Sequence, residues 1–141
     1  MIHYYDASAL VKRYVQEPGS ERVASLLLEG VAATARYTHL EILSALARRL
    51  REGDLAVADY RYIAASLRRD FEKLVAVELT AEVIQEAERL LAGHALRAGD
   101  AVQLASCIVL QARTEVPVTL VAFDERCNEA ARAEGLHLFA E

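Results

Sequence analysis

The feature that most constrains this chain is an alternation. Short runs that are apolar on both faces (IHYY, VAATA, VAVEL, VTLVAF and LHLFA) are separated by longer segments with helical periodicity. A strand apolar on both faces has no side left for water and needs cover above and below. Helices between successive strands supply that cover when the sheet is parallel. The expected fold is therefore α/β: a three-layer α/β/α sandwich around a central, mostly parallel sheet of about five strands. Its crossovers should be right-handed. The chain has 141 residues, 54% of them hydrophobic, which suits one domain over 1–141 with a substantial core. It contains no internal repeat, low-complexity stretch or linker.

Local signals place the helices. SALVKRYV follows the first strand, and EPGSE makes a turn whose Ser20 can cap ERVASLLLE. YTHLEILSALARRLREG reads as a long helix that stops at Gly53, and LAVADYRYIAASLRRDFEKL as another. Thr80 caps AEVIQEAERLLAGH, RAGDAVQLASCIVLQAR is helical, and DERCNEAARAEG stops at Gly135.

Composition removes several classes. No stretch reaches the roughly 18 uninterrupted apolar residues of a membrane helix. The first residues lack the basic and apolar blocks of a signal peptide, so a cytoplasmic protein is expected. Cys107 and Cys127 lack metal-ligand spacing and read as reduced core thiols. A net charge of −5 argues against a protein that simply coats nucleic acid. It leaves a nuclease open, because catalytic carboxylates are themselves negative and a bound cation offsets them.

The acids then carry the chemistry. In doubly wound sheets ligands sit beyond the carboxyl ends of the strands, where strand order reverses. Asp6 and Asp124 each follow directly on an apolar strand and so point to that edge. Glu41 lies among Leu40, Ile42, Leu43, Ala45, Leu46 and Ala47, in a half-helix that is apolar nearly all round and should be buried. A lone buried carboxylate must be paired, protonated or bound to metal. His39 faces another side of the helix and is a poor partner. Asp100 opens another apolar helix, where an acid can also serve the helix dipole. Together, four carboxylates in one pocket would repel unless a cation joined them. An all-oxygen donor set selects Mg²⁺ or Mn²⁺ over zinc.

At these residues the sequence resembles the PIN domains, and within them the VapC-type toxin ribonucleases of toxin–antitoxin pairs. YDASALVKRYVQEPGSE resembles the first motif, with Asp6 and Ser8; THLEILSAL the second, with Glu41; LRAGDAVQLAS the third, with Asp100; VAFDERCNEAARAEGL the fourth, with Asp124. Ala122 replaces the Thr or Ser that often precedes the last acid, and Cys127 and Asn128 replace apolar and basic residues after it. The resemblance covers essentially the whole chain.

It implies a metal-dependent endoribonuclease whose products carry a 3′-hydroxyl and a 5′-phosphate. Asp6 and Asp100 would be the main ligands of Mg²⁺ or Mn²⁺, with Glu41 and Asp124 completing the site directly or through water. Ser8 would support a ligand carboxylate or a phosphate oxygen. Lys12, Arg13, Arg97 and Arg126 are candidates to grip RNA. The implied partners are the RNA substrate, a cognate antitoxin protein whose C-terminal segment lies over the active site, and a second copy of the chain in a homodimer. The helix stripe Tyr60, Ile63, Leu67 and Phe71 could serve the dimer or pack on the sheet. Two other readings compete. A catalytically silent PIN-like binding module would be favoured by an incomplete acid set. A phosphoaspartate domain would need a late lysine, and the only lysines are Lys12 and Lys73.

Overall fold

The computed structural model describes residues 1–140. Five strands form one sheet in the order β3-β2-β1-β4-β5, with every pairing parallel. The strands are β1 (Ile2–Tyr5), β2 (Val31–Ala35), β3 (Val75–Val77), β4 (Val118–Val121) and β5 (His137–Leu138). The helices are α1 (Ala7–Leu10), α2 (Ser20–Leu26), α3 (Arg36–Arg51), α4 (Val57–Phe71), α5 (Ala81–Gly93), α6 (Ala98–Thr114) and α7 (Glu125–Ala133). A 3-10 turn, Val11–Arg13, extends α1.

Alternation along β1 explains the layering. Tyr4 faces one way and joins the core under α5, α6 and α7, with Val83, Leu90, Leu104, Leu120 and Ala131. Tyr5 faces the other way and joins Leu10, Val23, Ile42, Leu46 and Leu67 under α1 to α4. Both tyrosines are fully buried. The three-layer expectation therefore holds, and the sheet is wholly parallel.

Order reverses at β1. The chain steps from β1 to β2 to β3 in one direction, then crosses back through α5 and α6 to place β4 on the other side of β1. The carboxyl ends of β1 and β4 flank this switch point. Asp6 leaves β1 there, and its backbone N–H donates to the Val121 carbonyl at 3.2 Å.

Several local expectations need correction. Ser20 lies inside α2 rather than capping it; Gly19, with φ 94°, holds the cap position. The Ser20 hydroxyl instead donates to the Val15 carbonyl at 3.1 Å and accepts from the Glu17 N–H at 3.0 Å, tying the turn together. VTLVAF ends as a strand at Val121, because the Phe123 N–H turns away to donate to Ser8 Oγ at 3.0 Å. Of the two uses left open for the α4 stripe, packing inside the chain is the one seen here: Ile63, Leu67 and Phe71 are buried in the core on that face of the sheet, and Tyr60 is half-buried against it. Among the described residues no helix is long and apolar enough to cross a membrane.

Gly30 sets the entry to β2. Its φ is +64°, and a Cβ there would sit 2.5 Å from the Met1 carbonyl oxygen. That same oxygen accepts the Val31 N–H at 2.9 Å and starts the β1–β2 ladder. Gly53 has φ +81° but nothing within 4 Å of its missing Cβ. Gly53→Ala should therefore cost about 1 kcal/mol of backbone strain alone. Gly30→Ala should cost about 2–3 kcal/mol, because the clash with backbone adds to the strain. Thermal melts of the two variants test this, and equal losses would contradict it.

Candidate active site

Asp6 is the centre of the site. It is 5% exposed, caps α1, and accepts two hydrogen bonds on Oδ1, from Ser8 Oγ at 2.7 Å and from the Ala9 N–H at 3.0 Å. Among the described residues, Oδ2 receives none and no Lys or Arg pairs with Asp6. Burial pushes its carboxyl up to about 7; the Ser8 and Ala9 bonds work against that rise, and the charges of Glu41 and Asp124 add to it. Ser8 does more than touch Asp6. By also accepting the Phe123 N–H, it clamps the tip of β1 to the segment leaving β4.

Glu41 sits on α3, and its surroundings differ from expectation. The first half of α3 is not sealed on all sides, since Leu40 is 64% exposed and Ser44 and Ala45 are also exposed. Glu41 is half-buried and opens onto a groove of about 400 Å³ lined by Tyr37, Leu40, Ser44, Ala45 and Arg48. Its partner is Gln103, whose Nε2 donates to Oε1 at 2.6 Å. Burial raises its pKa, the Gln103 bond lowers it, and the Asp100 charge raises it further. His39 packs against Phe71, with ring centroids 5.1 Å apart.

Asp100 and Asp124 are half-buried at helix starts. Asp100 Oδ2 accepts the Arg97 N–H at 3.2 Å, closing the first turn of α6. Asp124 caps α7 by accepting the Arg126 N–H on Oδ1 at 3.0 Å, and Arg126 Nε lies 4.0 Å from the same oxygen. Both acids therefore do serve as local helix-start groups. Each of the four carboxylates commits one oxygen to its own neighbourhood.

Charge ties the set together. Asp6 is raised by Glu41 and Asp124, and Glu41 by Asp100. Cys127, fully buried beneath them, is pushed up by burial first and then by Asp6, Asp100 and Asp124. The acids nevertheless do not form a closed cage: among the described residues no three His, Cys, Asp or Glu side chains group tightly enough to hold a metal ion. Carboxylate oxygens are hard donors, of the kind that Mg²⁺ and Mn²⁺ take. The buried carboxylate, Asp6, has no cationic partner among the described residues.

The basic candidates divide. Lys12 is bound to Glu17 at 2.9 Å and lies 4.6 Å from the Phe123 ring centroid, with a largely buried side chain. Arg13 pairs with Asp70 at 3.2 Å. Arg97 and Arg126 are exposed at the starts of α6 and α7, beside Asp100 and Asp124. Sequence reasoning missed Gln103 and Thr38, and noted Asn128 only as a departure from the fourth motif. Asn128 Nδ2 donates to the Ala122 carbonyl at 2.9 Å and so fixes the turn that carries Asp124. The signal for Gln103 was present, as a polar residue within the apolar run AVQLASCIVL.

Known proteins are similar to this chain in sequence and in fold. Two Mycobacterium tuberculosis proteins, Ribonuclease VapC45 and Ribonuclease VapC49, are each 38% identical to the chain over 138 residues, covering 94% of it and 90% of their own length. Among solved structures, VapC20 of Mycobacterium tuberculosis, described as a sarcin–ricin loop cleaving toxin, superposes with a TM-score of 0.68 at 18% identity, covering 91% of this chain and 94% of that one. VapBC2 of Rickettsia felis, bound to a promoter DNA fragment, gives a TM-score of 0.67 at 14% identity, covering 99% and 98%. Residues 4–133 match the family model described as PIN domain, and the chain belongs to that family.

Proposed function

We propose that this protein is a metal-dependent endoribonuclease that hydrolyses RNA phosphodiesters, acting as the VapC-type toxin of a toxin–antitoxin pair. The observation that carries this reading is Asp6: a buried carboxyl at the switch point, without a cationic partner and with one oxygen free. The ribonuclease names of two relatives aligned over nearly the whole chain support it. So does the likeness of the fold to VapBC complexes.

Asp6, Asp100, Glu41 and Asp124 would hold Mg²⁺ or Mn²⁺, directly or through water. When bound, the ion supplies Lewis-acid stabilisation of phosphoryl oxygens and lowers the pKa of its water. Ser8 holds the Asp6 carboxylate in one orientation. Glu41 or Asp124 orients the attacking water. Arg97 and Arg126 steady the flanking phosphates as exposed, bidentate-capable cations. The groove that Glu41 opens onto, with Arg48 in its wall, offers one path for the strand. The antitoxin would cover this edge and place a basic side chain among the carboxylates, where opposite charge favours it. A homodimer would use a surface other than the buried α4 stripe. The protein would act in the cytoplasm.

Labelled RNA with Mg²⁺ or Mn²⁺ should be cleaved, and EDTA should stop it. Asp6→Asn should lower the rate by at least about 100-fold, beyond the 10–100-fold loss typical of residues that only support a ligand. An inert wild type with every metal, or an Asp6→Asn variant that matches it, overturns the reading.

Stability offers a separate test. The folded carboxyl of Asp6, near 7, lies above the roughly 3.9 of an unfolded aspartate. Between those values the native state binds a proton that the unfolded state has lost. The contribution of Asp6 to stability therefore falls as pH rises from about 4 to about 7, and stays low above. In EDTA, Asp6→Asn should raise the Tm relative to wild type by several degrees at pH 8 and by little at pH 5. Millimolar Mg²⁺ at pH 8 should raise the wild-type Tm through binding to the native state, and the variant's much less.

A further inference from the structure

We propose that Gln103 is a positioning residue: through a buried hydrogen-bond relay anchored on the Tyr5 main chain, it holds Glu41 so that a single carboxylate oxygen, Oε2, faces the reaction centre. The inference rests on Glu41 belonging to the ion-binding set.

Gln103 is 3% exposed and lies in α6 between Ala101 and Leu104, both fully buried. A buried amide left without partners costs about 1–3 kcal/mol, so its partners reveal why it is tolerated. Oε1 accepts from Tyr4 Oη at 2.7 Å, while Nε2 donates to Thr38 Oγ1 at 2.8 Å and to Glu41 Oε1 at 2.6 Å. Every polar atom of the amide is used.

Which way the amide faces follows from proton counting. Thr34 has one hydroxyl proton, and the Tyr5 carbonyl, 2.6 Å away, can only accept it. At the 2.8 Å contact between Thr34 and Thr38, the proton therefore comes from Thr38. Thr38 then has only lone pairs left for Gln103, so the amide must present its NH₂ group. A flipped amide would also set its carbonyl against the Glu41 carboxylate. The chain of donors thus runs from Gln103 to Thr38 to Thr34 and ends on a main-chain carbonyl one residue before Asp6.

The consequence falls on Glu41. Its Oε1 is fixed as an acceptor, and Oε2 receives no hydrogen bond among the described residues. Oε2 lies against Gly99, where an added Cβ would stand 3.2 Å from it, in the first turn of α6 and one residue from Asp100. A glutamate carboxylate otherwise rotates broadly about its last torsion. The relay removes that freedom before ion or substrate arrives, which is how preorganised sites gain rate and affinity.

A residue that merely glued β1, α3 and α6 together would show the same contacts, so the test measures coupling. Mn²⁺ affinity by titration calorimetry and RNA cleavage are compared for wild type, Gln103→Leu, Glu41→Gln and the double variant. Gln103→Leu should weaken Mn²⁺ binding about 10–100-fold and lower kcat with KM for RNA unchanged. In the Glu41→Gln background the further loss should be under about twofold, because the two residues act as one unit. Additive losses, or a Gln103→Leu protein with wild-type Mn²⁺ affinity, overturn the relay alone. A wild type that neither binds Mn²⁺ nor cleaves RNA overturns the nuclease reading and the relay with it. If Gln103→Leu does not fold, the Thr38 pair decides. Thr38→Val should weaken Mn²⁺ binding while Thr38→Ser, which keeps the hydroxyl, restores it; equal affinities for the two overturn the proposal.

Discussion

The burial of one carboxyl at the point where strand order reverses governs the rest of this structure. Asp6 leaves β1 with its backbone already paired to β4, so its side chain cannot swing out to water. Desolvation penalises its charged form, and its protein partners offset this only in part. The neighbouring elements read as responses to that penalty. Ser8 and the Ala9 N–H supply donors to one oxygen, and among the described residues the second oxygen accepts no hydrogen bond. A site of this kind is costly for the ion-free protein and favourable once the charge is met, a balance common at functional centres.

Two sets of hydrogen bonds convert the sheet edge into a fixed geometry. On the β4 side, Ser8 joins Asp6 to the Phe123 main chain, and Asn128 holds the Ala122 carbonyl in the same turn. On the β2 side, the Thr34–Thr38–Gln103 relay ties β2, α3 and α6 to the Tyr5 carbonyl, with Tyr4 closing it from β1. Like charges at the edge push the acids apart, while these neutral bonds keep their elements in place. The β2-side bonds are buried, so each is stronger than it would be in water and harder to break singly, while those on the β4 side are part-buried.

Much of this was legible in the chain. Strands apolar on both faces demand helical cover, and that alone dictated a parallel three-layer fold. Asp6 could be placed because a residue directly after a buried strand has only one edge to face, whereas β4 stops at Val121 and Asp124 follows only after Ala122 and Phe123, as the cap of α7. Other details were not legible. The α3 helix looked apolar all round, yet Leu40, Ser44 and Ala45 face solvent, since periodicity cannot say how much of a helix a neighbour covers. Ser20 had the right side chain for a cap, but Gly19 could adopt the left-handed backbone the turn required.

Sequence by itself thus determined the layers and the strand direction, because these depend on hydrophobic period within short windows, and it singled out Asp6 by its place at a strand tip. Only the tertiary structure decided the partners. Gln103 reaches Glu41 across 62 positions and Tyr4 across 99, and Ser8 reaches Phe123 across 115. Hydrogen bonds of a few ångströms between such distant positions are set by how the layers close, and no local pattern encodes them.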